Sequence, residues 1–199
     1  MVVFTLLLSI GFKIISRFDI LYYNTLIDQI SEDQVQKFFS LQNKLKWLSY
    51  LITSIFLIVK ISIIAAILDI GCFFFDKKIT YRRLFNIVIK AEFIFLGVIV
   101  SKTIWFYVFQ QEYTLEDLQY FYPFSVLNII GYQGVQSWYI YPLQLLNLFE
   151  LAYWITLAYL LGKELKIATK KGLKIVASSY GIGLVIWVVA VMFLTLNIS

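Results

Sequence analysis

"WLSYLITSIFLIVKISIIAAILDIGCFFF", residues 47–75, runs for 29 residues with only two charges, Lys60 and Asp69. A helix crosses the hydrocarbon core of a bilayer in ~20 residues, so this stretch reads as a transmembrane span. Three further stretches of the same kind follow at 84–109, 139–161 and 174–196. The composition agrees, since 61% of the 199 residues are hydrophobic against ~45–50% apolar in soluble domains. The expectation is an all-α fold: one polytopic membrane helix bundle over 1–199, with no soluble domain, internal repeat or low-complexity tract.

Working back from 47, the start holds an apolar run, VVFTLLLSIGF at 2–12, before Lys13, Arg17 and Asp19. It lacks the basic leader and small-residue cleavage site of a secretory signal. We read 1–23 as a fifth span, with an interfacial helix as the alternative. Between it and Trp47, the segment 26–46 scatters Ile30, Val35, Phe38, Phe39, Leu41 and Leu45 among charges and amides. That pattern predicts an amphipathic outer helix, with Ser31 and Gln34 spaced as a capping box. Segment 120–138 mixes apolar residues with Pro123, Gly131 and Gly134. It predicts a non-spanning segment on the outer face, since irregular backbone is tolerated at membrane depth only where protein covers it.

The loops set the orientation. Loop 76–83 carries Lys77, Lys78, Arg82 and Arg83 against Asp76, and segment 162–174 carries Lys163, Lys166, Lys170, Lys171 and Lys174 against Glu164. The connection 110–119 has Glu112, Glu116 and Asp117 and no basic residue. By the positive-inside rule both basic segments are cytoplasmic, which predicts N-inside, C-outside and five spans. Lys77, Lys78, Arg82, Arg83, Lys163, Lys166, Lys170 and Lys171 then form one cytoplasmic basic surface. It suits anionic headgroups or an acidic protein better than nucleic acid.

Charges inside the spans are expensive and mark sites. Lys60 and Glu150 lie deepest by residue count, on different spans and with opposite sign, and are expected to pair. Asp69 lies seven residues before Asp76 and Lys90 seven after Arg83, so the hairpin between them is expected to bring those two to one depth. No catalytic constellation accompanies these charges. The chain has no histidine and one cysteine, Cys72, which leaves no histidine base, no disulfide and no Cys/His metal site. No cofactor or metal is called for.

The C-terminal half, "FYPFSVLNIIG" at 121–131, "PLQLLNLFELAYWITLAYLLG" at 142–162, a basic loop and a last apolar stretch, resembles the Yip family of multi-span proteins, named for interaction with Rab-type GTPases. Phe149, Trp154, Leu157 and Gly162 approximate the family's Phe-Trp-Leu-Gly series, at intervals of five, three and five residues against its four. The resemblance covers about 120–196 and, more faintly, the hairpin 47–109. It implies a five-span, non-enzymatic membrane scaffold; a GTPase partner is not implied, because the long cytosolic N-terminal region of the trafficking members has no counterpart.

The Ile-, Phe-, Tyr- and Lys-rich composition points to a bacterial inner (cytoplasmic) membrane. The leading expectation is a non-enzymatic accessory or regulatory protein that anchors or modulates a protein partner. One alternative is a transporter or homo-oligomeric pore component using Lys60 and Glu150. Another is a membrane modulator of an RNA-targeting type VI-B CRISPR effector.

Overall fold

The computed structural model describes residues 1–27, 29–110 and 112–198. Among them every regular element is helical, and the one extended pairing is an isolated antiparallel bridge between Ser125 and Asn147. The helices are α1 (Val2–Ile15), α2 (Phe18–Ile27), α3 (Glu32–Lys44), α4 (Lys46–Phe74), α5 (Tyr81–Phe109), α6 (Leu115–Tyr120), α7 (Val126–Ile130), α8 (Ser137–Leu145), α9 (Leu148–Leu165) and α10 (Thr169–Ile198). Three of them, α4, α5 and α10, are long and apolar enough to cross a membrane.

Neither 1–23 nor 139–161 is one continuous helix. The first breaks at Ser16 and Arg17, where Arg17 takes a left-handed φ of +46°. The 14 residues of α1 rise about 21 Å at 1.5 Å each, short of a ~30 Å hydrocarbon core. The second breaks at Leu146 and Asn147, between α8 and α9. Segment 120–138 holds the five-residue α7 between turns.

The chain forms two compact units. Unit 1 comprises Met1–Ile58 and Ile99–Phe121. In it the apolar stripe of α3 lies on α2, with Phe39 edge-on to Tyr22 and Tyr23 at 6.2 and 5.4 Å and Val35 fully buried. Ser31 stands at the N-cap of α3 in extended backbone, but its side chain makes no capping bond. The expected capping box is therefore not formed there. A reciprocal box closes instead at Thr114 and Asp117, at the start of α6. Phe106 is buried against Tyr113 and Phe121, with ring centroids 4.8 and 5.2 Å away. Nearby, Lys102 donates to the Leu118 carbonyl and lies over the Phe12 ring. Its ammonium thus meets the electronegative end of α6 rather than reaching out for water.

Unit 2 comprises Val59–Val98 and Tyr122–Ser199. Its centre is the α9–α10 hairpin. Lys166 caps α9 in the left-handed conformation, and Ile167 donates to the Gly162 carbonyl to close the turn. The two helices then approach so closely that a Cβ on Gly172 would lie 2.4 Å from the Ala158 carbonyl oxygen. Backbones in contact through small residues are the usual way apolar helices pack when water does not drive them together. Tyr153, Leu157, Leu161, Ile175 and Val176 fill the seam, with Leu84, Val88 and Ala91 of α5 against it. Beyond Gly181 the character of α10 changes, and no residue from Ile182 to Ile198 is buried.

Two local departures from α geometry sit beside this seam. Phe93–Phe95 in α5 is a 3-10 turn and Ala177–Gly181 in α10 is a π-turn. Such turns re-aim side chains and are frequent at functional sites.

Candidate functional site

The deepest polar cluster of unit 2 begins at the break before α9. Pro142 lies inside α8, and the chain leaves the helix at Leu146 and Asn147, the latter in extended backbone. They pair with the turn before α7: Val126 donates to the Leu146 carbonyl at 2.9 Å and Leu148 to the Phe124 carbonyl at 3.3 Å. Asn147 then serves two helices at once. Its Nδ2 donates to the carbonyls of Gln144 and Leu145, both at 2.9 Å, and its Oδ1 accepts from the Glu150 N–H at 2.8 Å. Opposite, buried Ser125 repeats the device, accepting from the Asn128 N–H and donating to the Tyr122 carbonyl. Burial pushes the neighbouring Tyr122 phenol up to about 12, with the charge of Glu150 adding to it.

Glu150 therefore lies in the first turn of a helix rather than in the middle of one. A carboxylate there is favoured by the helix dipole, by ~0.3–1 kcal/mol at exposed sites and ~2 in partly buried ones. Its Oε1 accepts from Trp154 Nε1, one turn on, at 2.9 Å and from the Tyr180 hydroxyl at 2.7 Å. The π-turn of α10 presents Tyr180, and Gly181 beside it makes room for the Trp154 ring, which a Cβ would meet at 2.6 Å.

Glu150 is buried within reach of the Lys60 charge, but the two make no ion pair. Lys60 Nζ lies 3.0 Å from Glu92 Oε2 and over the Phe95 ring, 4.4 Å from its centroid. Asp69 and Lys90 make no ion pair either: Asp69 is half-buried and Lys90 exposed. The reason lies in the hairpin. Lys77 donates to the Cys72 carbonyl, Asp76 turns the chain at a φ of +52°, and the Tyr81 hydroxyl reaches the Ser62 carbonyl. The Tyr81 side chain thus reaches back to the middle of α4, and the two helices do not present Asp69 and Lys90 to one another. Two residues further along α5, a rotation of about 200°, buried Glu92 replaces exposed Lys90 as the inward charge.

The ion pair is lopsided: the Glu92 side chain is 2% exposed and that of Lys60 46%. Glu92 Oε1 and the Tyr153 hydroxyl are buried facing one another, outside ideal hydrogen-bond geometry but close enough for the carboxylate to act as the phenol's hydrogen-bond partner. The Tyr153 ring bridges Phe95 and Tyr180 at 4.9 and 5.5 Å. Lys60, Glu92, Tyr153, Tyr180, Glu150 and Trp154 form one connected polar and aromatic cluster.

The basic residues lie apart from it. Arg83 Nη1 contacts Glu164 Oε1 at 2.7 Å, joining the start of α5 to the end of α9. Lys78, Arg82, Arg83, Lys163, Lys166, Lys170 and Lys171 are exposed and Lys77 is half-buried.

Reading the sequence for charges alone passed over Glu92 as a partner, and over Asn147, Tyr153 and Tyr180 altogether. For Asn147 a signal existed: "NLFE", 147–150, is an N-cap residue followed three later by glutamate, five residues after a proline, which is a helix-start pattern. No protein-family model, no curated protein and no solved structure matches this chain.

Proposed function

We propose that the protein is a non-enzymatic accessory protein of a bacterial inner membrane, holding a protein partner at the cytoplasmic face through the basic end of unit 2. The observation that carries this reading is the Arg83–Glu164 ion pair at 2.7 Å. It ties loop 76–83 to the end of α9 and leaves Lys78, Arg82, Lys163, Lys166, Lys170 and Lys171 exposed, without an ion pair among the described residues. A fixed cluster of one sign steers and orients an acidic partner. The carboxylates support a structural role: both lone pairs of Glu150 Oε1 are taken by Trp154 and Tyr180, which fastens α9 to α10. The Yip-like order of segments over 120–196 supports the same class of scaffold.

Two measurements test it. Cysteine labelling at Thr80 and Ala168, both exposed, is expected from the cytoplasmic side only. A photo-crosslinker placed at Lys166 or Lys170 in native membranes is expected to give a discrete protein adduct that Lys163→Glu with Lys171→Glu abolishes. Labelling from the opposite side, or adducts indifferent to charge reversal, overturns the proposal.

A second reading is favoured by two buried carboxylates, Glu92 and Glu150, joined through the phenols of Tyr153 and Tyr180. A series of ionisable groups of this kind is what a proton path would use. Flux into proteoliposomes that Glu92→Gln removes would support it, and no flux above empty vesicles would dismiss it.

A further inference from the structure

We propose that α3 anchors unit 1 in the plane of a phospholipid bilayer, with Phe38, Leu41 and Leu45 in the acyl layer and Lys37 and Lys44 on the phosphates beside them. The sequence scatters apolar residues through this segment, and the structure divides them between two faces. Val35 and Phe39, about 40° apart round the helix, are spent on α2: Val35 is fully buried and Phe39 meets Tyr22 and Tyr23. Phe38, Leu41 and Leu45 form a second stripe, centred about 110° round from the first. They are 42%, 56% and 50% exposed. A helix at the surface of a soluble protein carries one apolar face; α3 carries two.

What covers the second stripe follows from the helix it leads into. Leu45 alone separates α3 from α4, whose 29 residues rise about 43 Å, more than a ~30 Å hydrocarbon core. The surplus sets the start of α4 in the headgroup layer, where an exposed tryptophan such as Trp47 is at home. Phe38, Leu41 and Leu45 are followed by Ile52 and Phe56, both exposed, at intervals of 3, 4, 7 and 4 residues, the steps of one helix face. Apolar surface that continues the lipid-facing side of a spanning helix meets the same solvent. The flank of the stripe is basic: Lys37 and Lys44 stand about 80° round from its centre, exposed and without an ion pair among the described residues. Asp33, one turn before Lys37, is the acid on that flank. From there a lysine lays its stem along the acyl boundary and lifts its ammonium to the phosphates. Opposite the stripe lie Gln36, Ser40 and Asn43, all exposed, which completes the order of a helix lying in the interface.

This surface belongs to unit 1 and does not depend on the docking end proposed above. The test is spin labelling of the full chain in vesicles of phosphatidylcholine and phosphatidylglycerol. Single cysteine substitutions at positions 36 to 45, made with Cys72→Ala, are exposed to oxygen, which concentrates in lipid, and to a water-soluble nickel chelate. Oxygen contact is expected to peak at 38, 41 and 45, and nickel contact at 36, 40 and 43. Nickel contact as strong at 38, 41 and 45 as at 36, 40 and 43 puts the stripe in water and overturns the proposal. Shielding of 38, 41 and 45 from both reagents puts protein over the stripe and overturns it as well. The contrast is periodic and read over the whole series, so one variant that fails to fold does not decide it. Lys37→Glu with Lys44→Glu should raise nickel contact at 41 and 45 towards that at 43; unchanged contact would overturn the phosphate contacts.

Discussion

Replacing Lys60 by methionine removes the counter-charge of Glu92 while keeping the bulk of the side chain. At 3.0 Å the two charges attract by roughly 5–6 kcal/mol with an effective dielectric constant of ~20. The exposure of Lys60, 46%, lets solvent screen much of that. The expected coupling lies between the ~0–1 kcal/mol of exposed pairs and the ~3–5 of buried ones, at about 1–3 kcal/mol. The decisive quantity is the asymmetry between the partners. Lys60→Met strands a carboxylate that is 2% exposed, and should destabilise by about 3 kcal/mol. Glu92→Gln strands only an ammonium that can turn outward, and should lose about 1 kcal/mol. The double variant should come back to about 1–2 kcal/mol below wild type, a coupling of about 2–3 kcal/mol. Tryptophan fluorescence melting in detergent reads this out, since ~3 kcal/mol corresponds to about 6–12 °C for a chain of this size. A Glu92→Gln variant as unstable as Lys60→Met, or a double variant as poor as the sum of the singles, would refute the reasoning.

Other substitutions separate the remaining contacts. Asn147→Ala removes three hydrogen bonds that cap two helices and should destabilise by about 2–3 kcal/mol in the same melt; a loss below half a kcal/mol would contradict the capping role. Tyr180→Phe deletes a bond to a carboxylate, about 1.5–3 kcal/mol, whereas Tyr153→Phe deletes a hydroxyl that meets Glu92 outside ideal hydrogen-bond geometry and should cost less, about 1 kcal/mol. The reverse order would relocate the important phenol. Gly172→Val forces a side chain against the Ala158 carbonyl oxygen and should abolish monodisperse protein on size-exclusion chromatography, while Gly11→Val, with no atom within 4 Å of its Cβ position, should leave the elution profile unchanged.

The three long helices could be read from composition because the criterion is length and apolarity, which no tertiary contact has to supply. The stretch 47–75 became Lys46–Phe74. The break at Asn147 was also written in the chain, but an average over twenty apolar residues outweighs four that spell a helix start. Partner choice was harder. Counting residues from the span ends matches Lys60 to Glu150, and the count fails because the stretch 139–161 breaks at Asn147 and Glu150 opens a helix. Tyr180 meets Glu150 through a π-turn, a geometry with no signature in the residue types that form it.

The hairpin of α9 and α10 also constrains how this protein enters a membrane. Helix α9 carries Glu150, Lys163 and Glu164 and is not among the three helices apolar enough to partition alone. Its carboxylate gains its phenol partner only when residue 180 has been synthesised. Until α10 has emerged from the ribosome, Trp154 on the same helix is the one side chain that donates to that carboxylate among the described residues. In a membrane this would favour α9 and α10 leaving an insertion machinery as a pair over release of the helices one at a time.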